Sequence, residues 1–262
     1  MRFSIITSFY CWNDYREKSI KRAIESVEAQ TFKGLYEYII INDGSPRSFE
    51  VPKWIKVVNK KHGERVNGYN YGLKKAKGDI ICFLDSDDEY APNYLQRCED
   101  AFRQSSDTKL INFGAHYVDK DGGESDRGAF RPARRKVGHE NFGGGTIVNG
   151  TYVFHRSVYK DLGGFPKAEI KNIDCSAINY GKGKRNLFMH TPYDFSAAAQ
   201  MEFPAMREYF MVDHVNEPNK ILKELGNPWG QDYYLFYKYT RKYHSTAFDD
   251  PLYIVHPKQG VE

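Results

Sequence analysis

Three carboxylates within four residues, Asp85-Ser86-Asp87-Asp88, follow directly on the apolar run Ile80 to Leu84. Side by side they would repel one another unless a cation sits among them. Hard divalent cations take oxygen ligands, and Mg²⁺ commonly joins one or two carboxylates to substrate phosphates. Mn²⁺ suits the same oxygen-rich surroundings. An acidic helix N-terminus, capped and favoured by the helix dipole, would explain the same residues without a metal.

The elements that must position this cluster can be read from the chain before it. Phe3 to Phe9, Tyr36 to Ile41, Ile55 to Val58 and Ile80 to Leu84 are short and apolar, as buried strands are. Between them, Tyr15 to Gln30 places Ile20, Ala23, Ile24 and Val27 at helical spacing. A second helix is expected from about Asn67 to Lys77, stopped by Gly78, and a third from Pro92 to about Arg103. Alternating strands and helices of this kind predict an α/β fold with a mostly parallel central sheet covered on both faces. Ligands of such sheets bind outside the carboxyl ends of the strands. Thr7-Ser8-Phe9, Asn42-Asp43-Gly44 and Asp85-Ser86-Asp87 all fall at predicted strand ends.

Beyond Asp119 the pattern changes. Leu110 to Val118 and Thr146 to His155 read as longer strands separated by a loop rich in glycine and arginine. Trp229 to Lys242 reads as a tyrosine-rich helix and Leu252 to Val255 as a last short strand. The expected organisation is a single domain over 1–262 in two halves, 1–118 and 119–262. An inserted subregion is expected at about 166–228.

Composition narrows the classes. The apolar fraction of 40% and charged fraction of 27% are ordinary for a globular protein. A net charge of +4 suits phosphorylated ligands without calling for nucleic acid. The four cysteines, Cys11, Cys82, Cys98 and Cys175, lack the spacing of a zinc site or a disulfide framework. No leader is evident and no apolar run reaches the roughly 20 residues that span a bilayer. The expectation is a soluble cytoplasmic protein, at most peripheral at a membrane.

Several ordered segments carry a resemblance. Ser4-Ile-Ile-Thr-Ser-Phe-Tyr10, Gln30-Thr31-Phe32, Ile41-Asn-Asp-Gly-Ser45 and Phe83-Leu-Asp-Ser-Asp-Asp88 closely resemble the donor-binding half of family 2 glycosyltransferases, which have the GT-A fold. Gly163-Gly164-Phe165 and Gly230-Gln231-Asp232 resemble that family's glycine-rich turn and acidic catalytic motif. The resemblance is dense over residues 1–103 and sparse thereafter. It implies an inverting, metal-dependent transfer of a sugar from a nucleotide sugar, a UDP-sugar by preference, to a hydroxyl acceptor in glycan or polysaccharide assembly. Lipid-linked, protein and nucleic-acid acceptors stay open.

The resemblance also implies roles. Thr7 and Phe9 would line the base pocket, and Asp43 would accept a hydrogen bond from the base, favouring uracil with its protonated N3. Asn-Asp-Gly would also form a turn with no ligand at all. Asp85, with Ser86, would hold the ribose or support the metal, and Asp87 would coordinate the Mn²⁺ or Mg²⁺ bridging the diphosphate. Arg65 falls where relatives place a basic residue near the diphosphate, although Tyr69 stands where many have an arginine beside Asn70. Asp232 would be the general base; a helix N-terminal acid is the other reading. His256 would be a further metal ligand, or a surface histidine. Tyr180, Phe188, Tyr193, Phe195 and Trp229 would wall the acceptor side, or fill the core of the inserted lobe. Two other functions are weighed: a sugar nucleotidyltransferase, which would need a glycine-rich basic loop that Ser4 to Asp14 lacks, and a non-catalytic nucleotide-binding module.

Overall fold

The computed structural model describes residues 1–63, 65–132, 148–165, 231–240 and 242–257. The chain divides into two compact units, one of Met1–Gly63, Gly68–Gly164 and Asp232–Glu262, the other of Glu64–Asn67 and Phe165–Gln231. The expectations for 166–228, including the acceptor wall with Trp229, lie outside the described residues.

The first unit is built on strands β1 (Arg2–Phe9), β2 (Leu35–Asn42), β3 (Lys56–Asn59), β4 (Ile80–Phe83), β5 (Glu89–Tyr90), β6 (Leu110–Val118), β7 (Glu124–Phe130), β8 (Tyr152–His155) and β9 (Ser245–Val255). Their order is β3-β2-β1-β4-β8-β6-β9-β5, with β7 added to β6. The first four are mutually parallel; β8 runs antiparallel between β4 and β6, and β9 is again parallel to β6. The α/β sheet expected from the sequence is therefore present, parallel over β1 to β4 and mixed beyond them.

Both faces of β4 and of most of β1 and β2 are buried, which is why these strands read as largely apolar runs, whereas β3 at the edge of the sheet is mostly exposed. Phe3, Ile5 and Phe9 of β1 join Tyr38 and Ile40 of β2 in one core with Ile20, Ala23, Ile24 and Val27 of helix α1 (Asp14–Glu28). The other helices among the described residues are α2 (Arg65–Lys75), α3 (Tyr94–Arg103), α4 (Arg156–Leu162) and α5 (Gln231–Thr240). Several of the abundant tyrosines fill the core, as core filling was the expected use of most of them. Tyr38, Tyr69, Tyr90, Tyr94, Tyr152, Tyr239 and Tyr253 are fully buried. Tyr90 and Tyr94 stack at 3.9 Å. Their hydroxyls donate to Phe83 O and Gly150 O, so the rings enter the core with their polar ends satisfied.

Gly78 has a different purpose from the helix stop expected of it, since α2 already ends at Lys75. A Cβ at Gly78 would lie 2.6 Å from the backbone of Phe3 and Ser4 on the central strand. Its N–H also donates to Ser4 Oγ at 2.8 Å. Backbone atoms of a central strand cannot swing aside, so Gly78→Ala is expected to destabilise the protein by about 2–3 kcal/mol, the cost of overpacking a filled site. Chemical denaturation would show this as a lower midpoint at unchanged slope.

Candidate active site at the strand ends

The carboxyl ends of β1, β2 and β4 are tied into one rim. Asp43 N donates to Phe9 O at 2.8 Å and Leu84 N to Ile6 O at 3.1 Å. Thr7 is completely buried; its hydroxyl donates to Leu84 O at 2.7 Å and lies 3.0 Å from Tyr38 OH. Thr7 thus braces the turn after β4 from below, its hydroxyl already committed. Phe9 is also buried, edge-on to Phe49 at 4.8 Å and beneath the Arg16 guanidinium at 5.7 Å.

Asp43 is almost wholly buried and surrounded by donors. Lys60 Nζ pairs with its Oδ1, Gly63 N donates to Oδ2 at 3.2 Å, and His62 Nδ1 stands 3.2 Å from Oδ2. The His62 ring stacks on Tyr10 at 4.1 Å. A carboxylate offers about four acceptor positions, so it can hold these contacts and still receive a further N–H.

The acidic segment is a tight turn, closed by Asp88 N donating to Asp85 O at 3.1 Å. All four of its residues are buried. Asp85 accepts at Oδ1 from the Tyr69 hydroxyl and from Asn149 Nδ2 at 3.4 Å, and its backbone N–H donates to Tyr253 OH at 3.0 Å. Tyr69, the departure from the family pattern, is therefore a hydrogen-bond partner of Asp85. Burial, with the Asp88 and Asp85 carboxylates nearby, pushes the Tyr253 phenol well above its ordinary value and keeps it a neutral hydroxyl. Asp87 Oδ2 receives Arg16 Nη1 at 3.2 Å, and Arg16 Nη2 donates to Ser86 Oγ at 2.5 Å. Arg22 Nη2 donates to Asp87 O at 2.6 Å.

His256, the last described residue but one, meets the segment through two atoms. Its backbone N–H donates to Asp88 Oδ1 at 3.1 Å, and its Nε2 lies 2.5 Å from Glu89 Oε1. The imidazole is thereby paired with Glu89, just past the acidic turn. Arg65 and Asp232 are placed by backbone alone, as the first residue of α2 and the second of α5. The start of α5 is well anchored behind Asp232. Leu235, Phe236 and Tyr239 are fully buried, Tyr239 OH donates to Gly163 O at 2.9 Å, and Lys238 Nζ to Gly164 O at 3.0 Å. Gly163, with φ of 72°, ends α4 in a conformation that suits glycine. The two later motifs of the sequence, the Gly-Gly turn and the Gln-Asp pair, thus belong to elements joined by hydrogen bonds.

Among the described residues no group of three or more His, Cys, Asp and Glu side chains is arranged to hold a metal ion. The donors themselves are of the right kind, since Asp85 and Asp87 supply hard oxygens from one turn. A cation on Asp87 Oδ2 would have to take the place now held by Arg16. Arg16, Arg22, Lys60 and Tyr253 were not singled out in the sequence. Each reaches the rim from a distant element, and no local spacing marks it.

The parallel strands thus end in a buried acidic turn at the edge where sheets of this kind bind ligands. A model described as glycosyl transferase family 2 matches residues 4–163, more than half of the chain, and the chain belongs to that family. An uncharacterized glycosyltransferase of Nostoc is 32% identical over 114 residues, 40% of this chain and 34% of that protein. The uncharacterized glycosyltransferase YwdF of Bacillus subtilis is 28% identical over 195 residues, 69% of this chain and 65% of the relative. The minor teichoic acid biosynthesis protein GgaA of Bacillus subtilis is 28% identical over 208 residues, covering 69% and 46%. The crystal structure of Staphylococcus aureus TarS 1–349 in complex with UDP-GlcNAc aligns at 20% identity and a TM-score of 0.48, covering 63% of this chain and 49% of that one. The chain matches about a third of the Nostoc protein's length and 18% of a glycosyltransferase from Rickettsia bellii. No helix among the described residues is long and apolar enough to cross a membrane.

Proposed function

We propose that this chain is an inverting glycosyltransferase that moves a sugar from a UDP-sugar to a hydroxyl of a growing glycan. The observation that carries the reading is the rim itself. Buried carboxylates at Asp43, Asp85 and Asp87 stand on turns joined by backbone and side-chain hydrogen bonds at the carboxyl ends of parallel strands. Parallel sheets bind their ligands at that edge. Asp43 would accept the base N–H over the Phe9 side of the rim, with Lys60 holding the carboxylate in place. Asp85 and Ser86 would face the ribose.

Asp85 and Asp87 would hold Mn²⁺ or Mg²⁺, which when bound stabilises charge on a departing diphosphate, whereas the His256 imidazole, paired with Glu89, is not placed with them. Asp232 would take the proton from the acceptor hydroxyl as its oxygen bonds to the anomeric carbon and the bond from that carbon to the diphosphate oxygen breaks. One sugar–oxygen bond replaces another, and the proton rests on Asp232. The relative named for minor teichoic acid biosynthesis supports a glycan polymer as the acceptor class.

The reading is tested by calorimetric titration of the full chain with UDP, GDP, CDP and TDP, each with and without Mn²⁺. UDP should bind at least about tenfold more tightly than CDP, whose ring N3 carries no proton, the worth of one hydrogen bond to a charged acceptor. It should do so only with the metal. No metal-dependent binding of any diphosphate would overturn the assignment and favour a non-catalytic module.

A further inference from the structure

Arg16 lies in the first turn of α1, a position set by Asn13, whose Oδ1 accepts from Arg16 N at 2.9 Å. From there the guanidinium touches the acidic turn with two nitrogens, at Asp87 Oδ2 and Ser86 Oγ. It lies over two rings, 5.7 Å from the Phe9 centroid and 5.1 Å from that of Trp12. The pair is nearly enclosed, with 15% of the Arg16 side chain and 9% of the Asp87 side chain exposed. Behind it, Arg22 binds Asp87 O and stands 3.5 Å from Glu89, which also meets His256. The acidic turn therefore folds with counter-charge supplied by α1.

A guanidinium cannot lose its proton at ordinary pH, so it cannot withdraw its charge when a second cation arrives. A divalent ion on Asp87 and the Arg16 guanidinium at Oδ2 repel each other and contend for the same carboxylate. Arg16 has the means to leave. Its side chain is long, the Trp12 platform is 41% exposed, and Arg16 Nε is buried without a hydrogen-bond partner where it now lies. A buried donor left unmade favours departure.

We propose that Arg16 is the resident counter-cation of the acidic turn and competes with the divalent metal for Asp87, so that the metal enters only as the guanidinium leaves. This rests on the reading of Asp87 as a metal ligand. The affinity of the site for metal is then set by α1 as much as by the carboxylates, and the site is held weak until Arg16 finds another partner.

The test is a Mn²⁺ titration of the full chain without nucleotide, at low ionic strength, following the free ion by electron paramagnetic resonance. Arg16→Gln should bind Mn²⁺ at least about tenfold more tightly than the parent, the least effect expected of removing a charge in contact with the site. Trp12→Ala, a change at an exposed ring, should tighten binding about threefold by loosening the stacked guanidinium. It keeps the question answerable if Arg16→Gln does not fold. Equal Mn²⁺ affinity in all folded forms would overturn the competition while leaving the metal reading intact. No Mn²⁺ bound by any of them would overturn both.

Discussion

An Asp232→Asn variant is expected to bind UDP and Mn²⁺ as the parent does and to transfer sugar about a thousandfold more slowly, within the range that a positioned general base contributes. Asparagine matches aspartate in shape and cannot take the acceptor proton. It is also as good a residue near a helix start, so the fold should tolerate it. α5 is fastened by Leu235, Phe236 and Tyr239 in the core and by the bond from Tyr239 OH to Gly163 O, all C-terminal to the substitution. The rival account makes Asp232 an acid placed for the dipole at the N-terminus of α5. Replacing it would then cost about 0.3–1 kcal/mol of stability and leave turnover alone. Measuring kcat beside the UDP dissociation constant separates the two. A fall in kcat with donor binding preserved supports the base, and normal turnover removes Asp232 from that role.

The parts of this molecule that were legible in the sequence share one property: each is contiguous. β1, β2 and β4 could be bounded to within a residue or two because wholly apolar runs end in turn residues at Asn42-Asp43-Gly44 and Asp85-Ser86. Strands defined only by their partners were not visible. Glu89–Tyr90 is two residues long and exists through pairing with Tyr253 and Ile254. Glu124–Phe130 carries no alternation, and the loop expected there is a strand because β6 offers an edge. The last strand was expected only from Leu252. It begins at Ser245 and runs through Asp249-Asp250-Pro251, residues that strands usually avoid, with a register shift opposite Phe113 and Ala115. Of the strand expected over Thr146 to His155, the described part is a 3-10 turn at Asn149–Thr151 and a strand at Tyr152–His155.

The site divides in the same way. Its carboxylates sit in short marked segments, whereas the groups that hold them come from far away in sequence. Arg16 reaches Asp87 across 71 positions, and Tyr253 reaches Asp85 across 168. No periodicity in a single chain reports such pairs. Tyr69 stood out only as a departure from a family pattern, and it became intelligible once its hydroxyl was seen on Asp85.

The second large effect is expected at Asp87. Asp87→Ala should abolish Mn²⁺-dependent UDP binding and lower transfer by at least about a hundredfold, as loss of electrostatic stabilisation of a leaving group does. That substitution alone is ambiguous, because it also strips Arg16 of its carboxylate. A charge left behind in a nearly enclosed site costs stability, about 3 kcal/mol or more where a buried pair is broken on one side. A collapse of activity could then reflect a deformed rim instead of a lost ligand. The double variant Arg16→Gln/Asp87→Ala resolves this, since it removes both charges together. It should recover much of the lost thermal stability and none of the metal-dependent binding. Recovery of metal-dependent binding along with stability would show that Asp87 serves only to seat Arg16, and the ligand role would pass to other residues. Failure of both to recover would place the damage in the turn itself, where the backbone O of Asp87 also accepts from Arg22. The first pattern alone fits a carboxylate shared in turn by a guanidinium and a metal.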